Sequence, residues 1–359
     1  MEKRLNSKFI SREGNQCQER AYSDALVSNY YRKFLITAFI FIIIRLIVYL
    51  LTDNVEGDAS VRIYETLKWM DSPHFITSGV WLPMNYYLSA LFLWIFNDAL
   101  SATRILSFIS ALLTLLFYCE VVKSYFGEKT AIISGIILAF FLTHIVYSVL
   151  GLAASPFLLF VFAAFYLLKK FLDSKNNDWK LLLLAMIVFI IAEMIRIEAW
   201  LLIPLFTLFI FLNGLKKEAF CFFCISSVFP VCWLIGCYIS TGDFLPLASR
   251  NINPENLQNF PMVQKIFIYP YILIKFITPL ILLFCFIGLV RNFIEKDKYE
   301  FGLCFLVQFF FLITITVIGT NAFPKPRYAL LSSLFLIPYF SDGFSIVVDK
   351  IKSRRIVII

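Results

Sequence analysis

Apolar residues run through the chain in blocks, separated by short polar segments. The blocks cover about 34–52, 104–121, 131–149, 156–170, 180–196, 199–213, 219–239, 268–290, 300–318 and 328–348. Most have the roughly 17–25 residues that a helix needs to cross a hydrocarbon core. They do not alternate apolar and polar positions as the strands of a closed barrel would. The pattern predicts an all-α polytopic membrane protein with about ten transmembrane helices. One further apolar piece, "MNYYLSALFLWIF" at 84–96, is short for a crossing and predicts an interfacial or re-entrant helix.

Composition strengthens this picture. Of 359 residues, 60% are hydrophobic, 16% are charged and 41 are Phe, against roughly 45–50% apolar and about 25% charged in soluble domains. The net charge of +8 does not point to nucleic acid, because Lys and Arg gather in short loops between apolar blocks, the mark of cytoplasmic segments. Seven of the eight cysteines lie in or beside apolar blocks. The CxxC pair Cys221 and Cys224 sits in a Phe-rich block without partner ligands, so small buried hydrophobes is the preferred reading.

Charge also sets orientation. With 84–96 kept out of the count of crossings, "KSYFGEKT" (123–130), "KKFLDSKNNDWK" (169–180), "KKE" (216–218), "RNFIEKDK" (291–298) and "KIKSRR" (350–355) all fall on one side. By the positive-inside rule that side is cytoplasmic. Residues 1–33 are then expected as a cytoplasmic basic tail, 34–349 as the membrane domain and 350–359 as a second cytoplasmic tail. The outer face carries loops 53–83, 240–267 and 319–327. The expected location is the cell membrane, multi-pass, with the working face non-cytoplasmic.

Under that orientation the unusual polar residues share one level. The first outer loop brings Glu56, Asp58, Arg62, Tyr64 and Glu65, and Arg196 and Glu198 lie at a turn between blocks. Arg45 and Lys275 lie in outer halves of blocks, Lys325 and Arg327 close the last outer loop, and His144 ends another block near Ser155. Ionisable residues within a span are expensive and point to function. Simpler readings stand beside this one: Arg45 and Lys275 can snorkel to headgroups, Arg196 and Glu198 can form a structural pair, and His144 can be a hydrogen-bonded interfacial histidine. A carboxylate among cations beside a bilayer suits transfer from a phosphate leaving group. Asp58 takes the proton of an attacking hydroxyl, while Arg327, Arg196, Lys275 and Arg45 are candidate partners of the phosphate.

The segments "EGDASVRIYETLKWM", "GVWLPMNYYLSALFLWIFND" and "ATRILSFISALLTLLFYCEVVKSYFGEKTAIISGIILAF" resemble the N-terminal half of GT-C glycosyltransferases, which include protein O-mannosyltransferases and aminoarabinose transferases. "RIEAW" before Pro204 and "PRYALLSSLFLIPYF" are similar to later motifs of the same enzymes. The resemblance implies inverting transfer of a sugar from a polyprenyl-phosphate donor to a hydroxyl of a glycan, lipid or protein acceptor. It also implies that the first-loop acid is catalytic, here Asp58 with Glu56 second, and that Arg327 and Tyr328 serve the donor phosphate. The interfacial helix maps to Pro83, Tyr86 and Tyr87. Arg62, Tyr64, Trp81, Asn85, Tyr86, His144 and Glu198 are candidate acceptor or sugar contacts, with Trp69 beside them. No cofactor is called for. A divalent metal is compatible with the resemblance but unsupported, because Ser155 stands where relatives often carry an acid. The alternative function is a glycolipid transporter or flippase, but the charges concentrate at one end rather than along a path.

Overall fold

The structure is a computed structural model that describes residues 29–52, 57–74, 81–174, 176–244, 260–318 and 325–358. Glu56 lies outside the described residues. Those described contain helices and no strand.

The first long helix, α1 (Asn29–Leu51), leads to the polar helix α2 (Gly57–Asp71), which carries Asp58 in its first turn. Then come α3 (Met84–Phe96), α4 (Ala99–Phe126), α5 (Glu128–Phe140), α6 (Leu142–Tyr147), α7 (Ala154–Asp173) and α8 (Trp179–Glu193). A 3-10 turn (Ile197–Ala199) precedes α9 (Leu202–Leu212) and α10 (Lys216–Thr241). The chain continues through α11 (Met262–Ile277), α12 (Pro279–Glu295) and α13 (Tyr299–Ile318). A second 3-10 turn (Pro326–Ala329) leads to α14 (Leu330–Leu336) and α15 (Tyr339–Ile358).

The boundaries follow local chemistry. The Asp98 carboxylate accepts from Ser101 N at 2.8 Å and caps α4, satisfying one of its orphan amides. Gly127, at φ +84°, lets the chain reverse between α4 and α5, a conformation that costs other residues a Cβ clash. The core is aromatic. Phe165 of α7 stacks on Phe206 at 5.2 Å and meets Phe301 at 5.3 Å and Phe335 at 6.1 Å, joining four helices.

The helical membrane fold is as expected, while the described helices do not by themselves fix the count of about ten crossings. Among the described residues five helices (α1, α4, α7, α10, α13) are single, long and apolar enough to cross, and two bent pairs raise this to seven. The pairs are α11–α12, bent by 111°, and the turn-plus-α14 against α15, bent by 54°. The expected spans 131–149, 180–196 and 199–213 appear instead as broken or shorter helices. The window of hydropathy cannot see these breaks, because the apolar residues continue straight through them.

Broken backbone in an apolar setting leaves amides and carbonyls that must find partners inside the protein. Arg45 does this where α5 gives way to α6: fully buried, it donates to Leu138 O and Ala139 O, both at 3.1 Å. Arg104 donates to Tyr49 O (2.5 Å) and Thr52 O (2.6 Å), holding the last carbonyls of α1, and to Val149 O (3.0 Å). Tyr118 donates to Leu334 O at 3.1 Å near the end of α14.

Helices α12 and α15 approach so closely that their backbones nearly touch at two glycines. A Cβ on Gly288 would run into the Tyr339 carbonyl oxygen, and one on Gly343 into the Phe284 carbonyl oxygen. Small residues permit such contact between membrane helices. Gly288→Ala and Gly343→Ala are each expected to destabilise the protein by about 1–3 kcal/mol, the usual cost of overpacking. Thermal unfolding in detergent checks this, with Gly57→Ala as the control because a Cβ there meets nothing within 4 Å.

Candidate active site

Four segments far apart in sequence meet at one end of the bundle. They are the first turns of α2, the short turn that leads into α3, the irregular stretch after α8, and the 3-10 turn before α14. Each is a place where a helix has stopped, so polar side chains and free backbone groups concentrate there.

Asp58 is the link between the first and last of these. Its carboxylate accepts from Lys325 Nζ at 3.1 Å and from Arg327 Nη2. Burial raises the Asp58 pKa, but the bonds and charges of Arg327, and then of Lys325, outweigh that and hold it below the ordinary 3.8. Arg327 is buried, and its guanidinium lies 5.4 Å from the Tyr328 ring. Arg196 lies beside them. Its Nε donates to Glu198 Oε1 at 3.1 Å, its Nη2 bonds the same oxygen, and its guanidinium lies 5.0 Å from the Tyr328 ring.

Arg62 completes the cluster. It stacks over the Trp81 ring at 4.8 Å, and its buried Nη1 has no hydrogen-bond partner among the described residues. Burial pulls its pKa down to about 10; Tyr86 and Asp58 resist this, while Arg196 and Arg327 add to it by repulsion. The guanidinium therefore stays charged at neutral pH. Arg62, Arg196 and Arg327 line a cavity of about 120 Å³ together with Trp81, Glu198 and Tyr328. Leu82, Ile195, Ile197, Phe311, Leu312 and Ile315 give it an apolar wall.

Further bonds hold the irregular stretch after α8. Met84 N donates to Met194 O at 3.0 Å, Trp200 Nε1 to Glu193 O at 3.1 Å, and buried Gln308 Nε2 to Glu198 O at 2.8 Å. Gln308 lies one turn before Phe311 and Leu312 on α13, so the helix that walls the cavity also grips the Arg196–Glu198 turn.

Of the residues singled out from the sequence, Asp58, Arg62, Trp81, Arg196, Glu198, Arg327 and Tyr328 come together here, and Tyr86 lies buried beside Arg62. Others do not join them. Arg45 is occupied at the α5–α6 break and bonds His144 Nδ1 at 2.9 Å, so both serve that break and not the cavity. Lys275 is exposed near the end of α11, Tyr64 is exposed on α2, and Asn85 is buried in the first turn of α3. Ser155 donates to Tyr147 O at 3.3 Å, a local backbone role. Tyr269 of α11 was not singled out, yet it is buried within electrostatic reach of Tyr328, Glu198 and Arg196. Gln308 was missed too, although an amide inside an apolar block is a readable signal.

Both acids of the cluster already face guanidinium groups, and no three His, Cys, Asp or Glu side chains gather among the described residues.

A family model described as dolichyl-phosphate-mannose-protein mannosyltransferase matches residues 77–235. No curated protein sequence matches the chain. In structure it is similar to ArnT from Cupriavidus metallidurans bound to undecaprenyl phosphate (TM-score 0.58, 10% identity, 88% of this chain and 59% of that one). It is also similar to the Archaeoglobus fulgidus oligosaccharyltransferase in a complex with Zn and sulfate (TM-score 0.59, 14% identity, 90% and 50%). A third match is AglB of that organism with an inhibitory peptide and a dolichol-phosphate (TM-score 0.57, 14% identity, 91% and 51%). The chain thus spans between half and three-fifths of the length of these proteins. The resemblance read from the motifs is borne out at the level of fold: this multi-pass membrane chain has the GT-C glycosyltransferase fold.

Proposed function

We propose that the protein is a membrane glycosyltransferase that moves a sugar from a polyprenyl-phosphate donor to a hydroxyl acceptor at the non-cytoplasmic face of the cell membrane. One observation carries this reading: three arginines from distant segments converge on a cavity whose lining is otherwise largely apolar, with Asp58 bonded to one of them, Arg327. Among the described residues, Arg62, Arg196, Arg327 and Lys325 gather around two carboxylates, Asp58 and Glu198. Such an excess favours an anionic ligand, and arginine forks fit phosphate oxygens. The apolar wall suits the first units of a lipid chain, which supports a donor phosphate beside the membrane.

In the proposed reaction the acceptor oxygen attacks the anomeric carbon from the face opposite the phosphate. The bond from that carbon to the phosphate oxygen breaks, its electron pair leaves with the lipid phosphate, and the configuration inverts. Arg327, Arg196 and the open Nη1 of Arg62 stabilise the charge that develops on the leaving oxygen. Asp58 takes the acceptor's proton. It sits one bond behind Arg327, so a phosphate that draws Arg327 toward itself frees the carboxylate oxygen to accept. Trp81, stacked with Arg62, offers a ring face to the sugar.

The reading predicts that Asp58→Asn lowers turnover by about 10²–10⁴, the range of a lost general base. Arg327→Ala is expected to cost about 10²–10³, while Arg291→Ala, which removes an exposed pair with Glu295, leaves turnover unchanged. Both are measured with purified protein and a polyprenyl-phosphate sugar in detergent, where no gradient can drive transport. Full activity in Asp58→Asn would remove it from the base role.

The pH dependence has a definite sign. A carboxylate held below 3.8 stays ionised, and stays paired with Arg327, until the pH falls below that value. Both the base and the clamp it forms are lost only on further acidification. The acid limb of kcat/KM is expected below the ordinary carboxylate range, and Lys325→Ala is expected to move it upward. A limb that stays in place in Lys325→Ala would detach it from Asp58.

A further inference from the structure

Helix α1 has 23 residues and so separates its two ends by about 34 Å. Its last carbonyls are held near Asp58's end of the bundle; its first turn lies at the far end. There, Asn29, Tyr30 and Lys33 of α1 and Glu128, Lys129, Ile132 and Ile133 of α5 enclose a cavity of about 430 Å³. It shares no residue with the candidate active site.

The chemistry of this cavity is divided. Lys33 and Lys129 are exposed, and neither has a carboxylate partner among the described residues. Glu128 is matched by Lys123 at 3.3 Å, and Lys123 is drawn toward the Tyr30 ring at 3.8 Å. The acid of the cavity is thus offset, and two ammonium groups remain. Below them the lining turns apolar at Ile132 and Ile133. The same end of α1 presents Leu35, Ile36 and Phe39 to the surroundings, at 64%, 55% and 64% exposure. Within about two turns the surface passes from cationic to apolar, the sequence of environments an amphiphile meets at a bilayer boundary.

We propose that this cavity binds an anionic membrane phospholipid, with its phosphate between Lys33 and Lys129 and an acyl chain over Ile132 and Ile133. A lysine ammonium is a flexible point charge well suited to a lipid phosphate, and the Asn29 amide can donate alongside. A soluble phosphate would use the two lysines but leave the apolar floor bare; a neutral lipid would cover the floor but leave the charges unmatched. Such a lipid would tie the first turn of α1 to α5.

The test uses the full chain in detergent, with phosphatidylglycerol as the probe and bound lipid read by native mass spectrometry. Lys33→Gln/Lys129→Gln is expected to weaken phosphatidylglycerol binding about ten-fold or more, the scale of two lysines beside an anionic headgroup. Lys33→Arg/Lys129→Arg keeps the charge and is expected to bind within about two-fold of the parent. Lys216→Gln/Lys217→Gln removes as much charge from exposed positions at the start of α10 and is expected to change nothing. The proposal is overturned if both Gln pairs lose binding equally, if phosphatidylcholine binds as well as phosphatidylglycerol, or if inorganic phosphate displaces the lipid.

Discussion

Every feature of the candidate site depends on one constraint: a helix that breaks inside an apolar medium must satisfy its freed backbone groups within the protein. Several of the breaks in this chain are answered by a buried polar side chain. Arg45 answers for Leu138 and Ala139, Arg104 for Tyr49, Thr52 and Val149, and Gln308 for Glu198. The breaks are what allow α2, the entry to α3, the Arg196–Glu198 turn and the Arg327–Tyr328 turn to share one small volume. Continuous helices would have carried those residues past one another.

That arrangement has an electrostatic consequence. Arg196 and Arg327 repel Arg62 across the cavity, and among the described residues Asp58 and Glu198 are hydrogen-bonded to Arg327 and Arg196 rather than to Arg62. A site with surplus cations and an open guanidinium nitrogen is set for an anion, because binding one removes both the repulsion and the unmet hydrogen bond. Asp58 ties α2 to the turn before α14 across 269 positions of sequence.

The site residues were legible to different degrees for physical reasons. Asp58 stood out because it is an acid in a polar insertion after a long apolar block, and Arg196, Glu198 and Arg327 because they interrupt apolar surroundings. The same reasoning grouped Arg45, His144 and Lys275 with them, since depth along a span says nothing about direction around the helix. The fold turned Arg45 and His144 inward to a broken backbone and left Lys275 on an exposed face. Tyr269 was invisible for the converse reason: a tyrosine in an aromatic-rich helix carries no mark of what it faces.

The sequence by itself determined that the chain is helical, membrane-embedded and charged at few places, because apolar block length and the scarcity of ionisable residues are one-dimensional properties. It also determined a short roster of acids and cations from which any site had to be drawn. Only the tertiary structure decided where helices stop, so that ten apolar blocks resolve into five long helices, two bent pairs and several shorter pieces. It alone decided which cations surround Asp58, because a hydrogen bond over 269 positions depends on packing angles that no local pattern contains.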